Sequence, residues 1–421
     1  MGLARSGLAL ARHLRERGDE VVISDAKPAS ALAGAMAALP AGVETALGRG
    51  DEGLLEGVDE VYASPGVPWE APLLEAARAR GIPVGSEIEL FFRLCPAPIV
   101  GITGTNGKTT TTALAGEVLK QGERPVLVGG NIGETVLDRL GEVTPEHLVV
   151  LELSSFQLES IAEPRCHVGV VLNVTPDHLD RHGTFDRYAA AKARIVEFQR
   201  AGDFALLNGE DATCRGFASR TRAHVVWFDR HRPDPPMPIP GRHNLMNARA
   251  AAAVGRCLGL DDAAIERGVR SFKGVEHRLE LVGEWEGVRW YNDSKATNPD
   301  AGRVALASFP GTPLVLIAGG HGAGFDLGDW LADVKAHAPH VVLIGESGPE
   351  LERELKALGH PSLTRAASLE EAVASAGRLA RPGGVVLLSP GYKSFDMFES
   401  FEDRGRQFKD AVRRAHAGVK R

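Results

Sequence analysis

The sequence is poor in cysteine and has no long apolar run, and each shortage excludes a class of protein. Its four cysteines, at positions 95, 166, 214 and 257, lie far apart and form no C-x-x-C pair. This fits a reducing compartment and argues against a disulfide scaffold or a zinc knuckle. No apolar run approaches the roughly 18 residues of a membrane-spanning helix, and the N-terminus has no charged-then-apolar signal pattern. We therefore expect a soluble, cytoplasmic protein with no membrane partner.

An excess of positive charge is also missing. The 48 Lys and Arg residues are outnumbered by 55 Asp and Glu, which gives a net charge of −7. This balance disfavours a nucleic-acid partner. The 421 residues, 43% hydrophobic and 24% charged, are typical of a globular chain, and the length predicts about three domains.

The first segment, residues 1–93, resembles half of a dinucleotide-binding fold. "MGLARSGLALARHLRERG" predicts a glycine turn and an amphipathic helix ending at Gly18, and "EVVISD" predicts a buried strand closing on Asp25. The fingerprint is incomplete because Ala4 stands at the third glycine position and the strand that should precede the turn is missing. We expect either a misplaced start site or a lost first strand. "EVYASPGVP" predicts another short strand that ends in a turn at residues 64–66.

Two further segments alternate strands with helices. Residues 94–275 contain "HLVVLELSS" and "VGVVLNVTPDH", apolar runs with polar C-terminal ends that predict a parallel sheet with ligands at its carboxyl edge. Residues 276–421 open with a predicted hairpin around Glu286-Gly287 and continue with three apolar strands. The sequence thus predicts an α/β protein of three domains: a Rossmann-like N-terminal domain, a central P-loop ATPase-type domain and a Rossmann-like C-terminal domain.

The stretch "GITGTNGKTTTT" at residues 101–112 predicts a phosphate-binding loop between a strand and a helix. Its glycines, at 101, 104 and 107, depart from the common G-x-x-x-x-G-K-[ST] spacing. Backbone N–H groups at a helix N-terminus still attract phosphate, Lys108 adds a positive charge and the Thr109 hydroxyl is suited to Mg²⁺. The alternative is an ordinary glycine-rich turn.

Downstream residues add possible metal and phosphate ligands. Glu152 ends a buried strand, where a carboxylate is costly unless it is paired or bound to metal. Polar residues crowd the end of the next strand, at Asp177, His178, Asp180 and His182. Lys192 interrupts an alanine run on a predicted helix. Taken singly, Glu152 could be a rim residue, and Lys192 a solvated helix lysine.

In this order, G-x-T-G-T-N-G-K-T, E-x-S-S-F-Q, N-x-x-x-D-H-x-D-x-H and Y-x-x-x-K resemble the motifs of the Mur ligase family. "LELSSFQLE", "YNDSKATNP" and "SPGYKSFDMFESFEDRG" are most similar to its D-glutamate-adding members. The resemblance spans nearly the whole chain. It implies ATP-dependent joining of D-glutamate to UDP-N-acetylmuramoyl-L-alanine through an acyl phosphate, in peptidoglycan precursor synthesis, by a monomer.

The resemblance also implies roles around ATP. The nucleotide contacts would be Gly104, Thr105, Asn106, Gly107, Lys108, Thr109 and Thr110 of the loop, Asn244 and Asn247 near adenine, Arg278 at the phosphates and Asp293 at the ribose. Two Mg²⁺ ions would be held by Thr109, Glu152, His178 and Lys192, with Lys192 carbamylated by CO₂. Lys108, His178, Lys192 and Lys295 would be the catalytic residues. Simple N-capping of its helix is the alternative role for Asn244.

Other matches concern the two substrates. The UDP-linked substrate would meet Ser6, Asp25, Lys27, Ser64, Gly66, Asn131 and Gln157, and the amino acid Thr297, Ser394 and Phe401. One position departs from the family, because Ala323 stands where a lysine usually pairs with the side-chain carboxylate of D-glutamate. Lys393, beside Ser394, is our candidate for the missing cation.

Three alternative classes remain open from the sequence. A folylpolyglutamate-synthase-like ligase would share the middle and end of the chain but lack the first domain. An NAD-dependent oxidoreductase would explain the first domain but leave the Gly-Lys-Thr loop without a role. A non-catalytic nucleotide switch would leave Glu152, His178 and Lys192 without a purpose.

Overall fold

The computed structural model describes residues 1–131, 135–230, 233–322 and 325–417, and it confirms the predicted α/β class. Contacts divide the chain into two compact units. The first contains Met1–Pro236 and Met246–Ser271, and the second contains Met237–Leu245 and Phe272–Arg421. Within the described part of the chain, no helix is both long and apolar enough to span a membrane.

The first part of the first unit carries two small parallel sheets, β1 with β2 and β3 with β4. The predicted amphipathic helix is confirmed and places Ala9, Leu10 and Ala11 in the interior. Its elements are α1 (Arg5–Glu16), β1 (Val21–Asp25), α2 (Ala33–Ala37), β2 (Val43–Leu47), β3 (Val61–Ala63), α3 (Pro72–Ala79), β4 (Val84–Ser86) and α4 (Glu87–Leu94).

The rest of the first unit is built on a six-stranded, fully parallel sheet of order β10-β9-β8-β5-β7-β6. Its elements are β5 (Ile99–Thr103), α5 (Lys108–Leu119), β6 (Val126–Gly130), β7 (Leu148–Glu152), α6 (Ser155–Ser160), β8 (Val168–Val171), α7 (Leu179–His182), α8 (Phe185–Glu197), β9 (Phe204–Leu207), α9 (Ala212–Phe217), β10 (His224–Trp227), α10 (Arg242–Cys257) and α11 (Asp262–Ser271). The division between the two units falls inside α10.

The order of this sheet explains why the predicted site residues meet. Strand β5 lies between β7 and β8, and both neighbours run parallel to it. The carboxyl ends of parallel strands share one edge of the sheet, where ligands bind. The loop after β5, Glu152 at the end of β7 and the segment after β8 are therefore brought together.

The second unit carries a six-stranded sheet of order β11-β12-β16-β13-β14-β15. Only the β11–β12 pair is antiparallel among its described strands, and this hairpin turns at Glu286-Gly287 with φ of 51° and 73°, as predicted. Its elements are β11 (Glu280–Trp285), β12 (Val288–Asn292), α12 (Pro299–Leu306), β13 (Leu314–Gly319), α13 (Gly328–His337), β14 (His340–Ile344), α14 (Gly348–Ala357), β15 (Leu363–Arg365), α15 (Leu369–Leu379), β16 (Val385–Leu388) and α16 (Phe401–Ala415).

Candidate functional site

The glycine-rich loop between β5 and α5 is hydrogen-bonded to the segment that follows β8. Asn173 uses its side-chain amide twice, accepting from the N–H of Asn106 at 2.8 Å and donating to the Asn106 carbonyl at 3.1 Å. The Thr105 hydroxyl lies 3.1 Å from the Tyr188 hydroxyl and accepts from the N–H of Thr175 at 3.0 Å. These hydrogen bonds fix the shape of the loop.

Helix α5 begins at Lys108, directly after the loop, so the N–H groups of its first turn lie next to the loop and are available to an anion. Thr109 is half-buried and Thr110 is buried in this first turn. Gly107 precedes the helix with φ of 84°, and a Cβ atom there would lie 2.5 Å from Oδ1 of Asn247. Glycine is thus required both by the backbone angle and by the approach of Asn247.

Two lysine amines converge on this loop. Nζ of Lys192, on α8, donates to the Gly104 carbonyl at 2.8 Å. Nζ of Lys108 donates to the same oxygen at 3.0 Å and to the Thr105 carbonyl at 2.8 Å. Lys192 is only 1% exposed, and burial, with the nearby charge of Lys108, lowers the pKa of its ammonium group to about 7. Lys192 is therefore no solvated helix lysine, because near neutral pH much of it is an uncharged amine.

Glu152 is 3% exposed at the end of β7. Its Oε1 accepts from Nδ2 of Asn131 at 3.2 Å, while its buried Oε2 has no hydrogen-bond partner within the described ranges. The backbone N–H of Asn131 also donates to the Glu152 carbonyl at 2.9 Å. An unsatisfied buried carboxylate oxygen is costly, which favours a cation partner over an ordinary rim role.

His178 lies at the start of α7, with left-handed φ of 50°. Its ring meets the edge of Phe156 at a centroid distance of 5.1 Å, and its Nε2 is 3.6 Å from Oδ2 of Asp177. His182 is instead buried, and its Nε2 lies 3.0 Å from the Ser155 hydroxyl. His182 therefore has a structural partner in Ser155, whereas about half of the His178 side chain is exposed to solvent.

The described residues offer a partial fit to Mg²⁺. Glu152 supplies an unpartnered oxygen, and the first turn of α5 supplies the Thr109 hydroxyl. No group of three or more His, Cys, Asp and Glu side chains in the described ranges is arranged to hold a metal ion. A complete hard-ion site would thus need oxygens from outside that set, such as a modified Lys192, phosphate or water.

A cleft of about 630 Å³ opens beside this site, between the small sheets and the central sheet of the first unit. It brings together all seven residues predicted for the UDP-linked substrate. These lining residues are Ser6, Asp25, Lys27, Ser64, Gly66, Asn131 and Gln157. They come from five separate stretches of sequence, so their shared location is a property of the fold.

Two of these residues also have structural partners that the sequence pattern did not predict. Asp25 accepts from the N–H of Leu3 at 2.8 Å and from the N–H of Lys27 at 2.9 Å, which fixes the turn before α1. Gln157 completes a capping box with Ser154 at the start of α6. Each therefore shapes the wall of the cleft as well as lining it.

In the second unit, Asp293 follows β12 and is buried. Its Oδ2 accepts from the Ser389 hydroxyl at 2.9 Å and its Oδ1 from the N–H of Leu279 at 3.1 Å. Burial raises the pKa of the Asp293 carboxyl to about 7, with the positive charge of Arg278 acting in the opposite direction. Nε of Arg278 is buried without a hydrogen-bond partner in the described part of the chain.

Asn244 lies in the first turn of α10, which begins at Arg242, and its Nδ2 donates to the Pro240 carbonyl at 2.6 Å. The N-cap alternative for Asn244 is therefore wrong, because an N-cap residue precedes the first helical residue. Asn244 and Asn247 are both buried. Their predicted contact with adenine stays a prediction.

The predicted amino-acid residues gather at the carboxyl edge of the second sheet. Nζ of Lys295 lies 5.8 Å from the ring centroid of Phe401, and the Phe401 carbonyl accepts from the Ser294 hydroxyl at 2.8 Å. Ser394 is buried in the loop after β16, and the N–H of Thr297 donates to the Lys295 carbonyl at 2.9 Å. Phe401 is the first residue of α16 and only half-buried, so it is no ordinary core residue.

Arg404 joins the two loops of this region and was missed by the sequence analysis. Its side chain is fully buried; it donates to the Ser294 hydroxyl and carbonyl, both at 2.9 Å, and to the Tyr392 and Lys393 carbonyls at 3.1 and 3.3 Å. Burial lowers the pKa of its guanidinium to about 10. Within "FEDRG", only its place one turn after Phe401 could have indicated it.

Lys393 is exposed, and its backbone forms an antiparallel bridge with His321, whose N–H donates to the Lys393 carbonyl at 2.8 Å. Nδ1 of His321 lies 2.8 Å from Oε2 of Glu346. Lys393 and His321 thus lie side by side at the rim of the second sheet. Ala323, the other position of this prediction, lies outside the described residues.

Comparison with known proteins matches three stretches of the chain to models of one family. Residues 1–86 match the family described as "Mur ligase MurD-like, N-terminal domain", residues 102–235 the "Mur ligase middle domain", and residues 277–391 the "Mur ligase, glutamate ligase domain". Two curated relatives are named UDP-N-acetylmuramoylalanine--D-glutamate ligase. That of Pelotomaculum thermopropionicum is 44% identical and that of Desulfitobacterium hafniense (strain Y51) 43% identical, each over 98% of this chain and 96% of the relative.

Solved structures agree on the fold. MurF from Acinetobacter baumannii aligns with a TM-score of 0.63 at 16% identity, over 95% of this chain and 98% of that one. MurF ligase from Thermotoga maritima in complex with ADP aligns with a TM-score of 0.57 at 19% identity, over 86% and 91% of the two chains. With identities above 40% over nearly the full length of both relatives, this chain belongs to the Mur ligase family.

Proposed function

We propose that this enzyme joins D-glutamate to UDP-N-acetylmuramoyl-L-alanine at the expense of ATP, in peptidoglycan precursor synthesis. The observation that carries the proposal is the adjacency, inside one compact unit, of the phosphate loop, the unpartnered Glu152 oxygen and the cleft that collects all seven residues predicted for the UDP-linked substrate. The names of the relatives support this choice of substrates.

We assign the phosphates of ATP to the loop Gly104–Thr110. Its preformed N–H groups and the N-terminus of α5 favour a multiply charged anion, and the amine of Lys108 is already held over the loop. The ADP bound by a relative of the same fold supports a nucleotide here. Asn247 is placed beside the loop by its contact with Gly107. In the second unit we assign Asp293 to the ribose and Arg278 to the phosphates.

We propose Thr109, Glu152, His178 and Lys192 as the residues that would hold two Mg²⁺ ions. When bound, Mg²⁺ neutralises phosphate charge and polarises the transferring phosphoryl group. Lys192 suits the set only as a carbamate, because an ammonium group would repel the ion. Its burial and the closeness of Lys108 favour the neutral amine, the form that adds to CO₂ with loss of a proton.

The chemistry proceeds in two steps. The carboxylate of the UDP-linked substrate attacks the γ-phosphorus of ATP, which forms a C–O–P linkage and releases ADP. The amine of D-glutamate then attacks the acyl carbon, and the tetrahedral intermediate collapses with loss of phosphate and a proton. Lys108 and Lys295 are proposed to stabilise the negative charge that the phosphoryl group carries.

For D-glutamate we propose Thr297, Ser394 and Phe401, with Lys393 facing the side-chain carboxylate. Lys393 is exposed, it directly precedes Ser394, and its backbone pairs with that of His321. Arg404 donates to both the Ser294 hydroxyl and the Lys393 carbonyl. The backbone that carries the Lys393 side chain is therefore held in place.

We further propose that the enzyme acts as a monomer in the cytoplasm, where its nucleotide substrates are found. The second candidate function is another ATP-dependent amide ligase of this superfamily, since Lys393 is a departure in the amino-acid site. A panel of D- and L-amino acids with UDP-N-acetylmuramoyl-L-alanine and ATP, scored by phosphate release, decides between them. Release with D-glutamate alone supports the proposal, and release only with a different amino acid contradicts it.

A further inference from the structure

Arg181, on α7, links the loop of His178 to the substrate cleft. Its Nη1 donates to the Pro65 carbonyl at 2.9 Å and its Nη2 donates to the Val67 carbonyl at 3.0 Å. These two carbonyls belong to the turn after β3, and residues 64–68 of this turn line the cleft. The Arg181 guanidinium, more than 100 residues away in the sequence, therefore binds the backbone of one wall of the cleft.

The same guanidinium rests on Phe156. Cζ of Arg181 lies 4.2 Å from the centroid of the Phe156 ring. The neighbouring His182 ring stacks on Phe156 with centroids 5.1 Å apart and an interplanar angle of 9°, and His178 meets it edge-on. The Phe156 ring thus contacts three polar side chains of the α7 segment, and the next residue, Gln157, lines the cleft.

Helix α7 has only four residues, and a single helical turn has little stability of its own. The N–H groups of Arg181 and His182 donate to the His178 carbonyl at 3.1 and 3.0 Å, so the position of His178 follows the position of this turn. The side-chain anchors of α7 must therefore place His178, and Arg181 is the anchor that reaches the cleft.

We propose that Arg181 is a positioning residue that couples occupancy of the cleft to the placement of His178 beside the phosphate loop. A ligand seated against residues 64–68 holds the two carbonyls where the planar guanidinium can bind both, which fixes α7 and His178 for the nucleotide. The inference rests on the proposed function, because it takes a UDP-linked substrate as the ligand of the cleft. It gives Arg181 a role without contact with the reacting atoms.

Coupling of this kind is reciprocal and is measured as a ratio of dissociation constants. Calorimetry would give the dissociation constant of UDP-N-acetylmuramoyl-L-alanine with and without Mg²⁺ and a non-hydrolysable ATP analogue. We expect the nucleotide to tighten substrate binding about tenfold in the unaltered enzyme. Arg181→Ala should bring the ratio close to one, and Arg181→Lys should give an intermediate ratio because an ammonium lacks the planar fork.

Arg187→Ala is the matched control, because Arg187 is an exposed arginine on the following helix, and it should keep the original ratio. Phe156→Leu leaves the carbonyl bonds possible but removes the aromatic support, and serves if Arg181→Ala does not fold. A ratio in Arg181→Ala equal to that of the unaltered enzyme overturns the inference, as does a melting temperature that falls with no change in the ratio.

The failure of the proposed function has a different signature. If the unaltered enzyme turns over D-glutamate but shows a ratio of one, the inference is wrong and the proposed function stands. If the unaltered enzyme neither binds nor turns over the UDP-linked substrate, the proposed function is wrong and this inference falls with it.

Discussion

The amines of Lys108 and Lys192 share one acceptor, the carbonyl oxygen of Gly104, at 3.0 and 2.8 Å. Two ammonium groups on one oxygen repel each other, and Lys192 is the more buried of the two. We infer a division of roles: Lys108 supplies positive charge, and Lys192, whose pKa is lowered to about 7 by burial and by the nearby Lys108, supplies the neutral amine. This division links the phosphate loop to the proposed modification of Lys192.

Replacement of Lys108 tests the first role. We expect Lys108→Ala to reduce turnover by about 10³-fold, to background, because the phosphoryl group loses a preorganised positive charge. Steady-state release of ADP and phosphate measures this. Lys120→Ala, an exposed lysine just beyond the C-terminal end of α5, is the control and should keep normal turnover. Near-normal activity of Lys108→Ala would remove the ATP assignment.

Replacement of Lys192 tests the second role. Lys192→Arg keeps a cation but cannot form a carbamate, so we expect it to be inactive. The unaltered enzyme should lose activity when CO₂ and bicarbonate are removed and regain it when they return. Since burial lowers the pKa of Lys192 to about 7, uptake of CO₂ should rise with pH through this value as the neutral amine forms. A ¹³C carbamate signal after exposure to labelled bicarbonate reports it directly, and an active Lys192→Arg variant would contradict it.

Glu87 provides a test of the cleft by pH. The carboxyl is 3% exposed in the cleft wall, and burial raises its pKa from 4.5 to about 7. The folded state thus prefers the protonated form, so this stabilisation is complete below pH 4.5 and is lost as pH rises through 7. The shift corresponds to about 3 kcal/mol.

Glu87→Gln cannot ionise, and its amide oxygen can still accept from the N–H of Leu137. We expect the free energy of unfolding of this variant, relative to the unaltered protein, to rise by up to about 3 kcal/mol between pH 5 and pH 8. Urea unfolding at several pH values measures it, with the exposed Glu75→Gln as control. A difference that does not change with pH would show that Glu87 ionises normally.

Lys393→Ala tests the amino-acid site. If Lys393 faces the side-chain carboxylate of D-glutamate, its loss should raise KM for D-glutamate about fivefold and leave KM for ATP unchanged, since an ion pair in a partly exposed site contributes about 1 kcal/mol. Lys393→Arg should keep most of the affinity. Lys356→Ala, an exposed lysine on α14, is the control. An unchanged KM for D-glutamate in Lys393→Ala would exclude this role.

Much of the fold could be predicted from the sequence, because its strands are apolar runs with clear turn residues at their ends. The β11–β12 hairpin, α1, the strand that ends at Glu152 and the strand that precedes Asp293 all appear where the patterns placed them. Short strands such as β2 and β4 were missed, since a few half-buried residues show no clear period. Contacts divide the chain into two compact units, and the predicted boundaries of three domains stay a prediction.

The candidate site was also predicted only in part from the sequence. Residues within motifs, such as Lys108 and Glu152, were found because their chemistry is unusual at their place in the sequence. The contacts of Arg181 with the Pro65 carbonyl and of Asn131 with Glu152 were not predicted. They join segments that are distant in the sequence and that only the fold brings together. The offset glycines also gained a meaning: Gly101 lies inside β5, where a Cβ would lie 2.5 Å from Sγ of Cys166, so packing rather than phosphate requires it.

The most direct test of the account is the identity of the product. Enzyme, ATP, Mg²⁺ and UDP-N-acetylmuramoyl-L-alanine should release phosphate continuously only when D-glutamate is added, and mass spectrometry should find one product heavier than the UDP-linked substrate by one glutamyl residue. L-glutamate should give none. Phosphate release without that product, or the same product mass with L-glutamate and none with D-glutamate, would contradict the assignment.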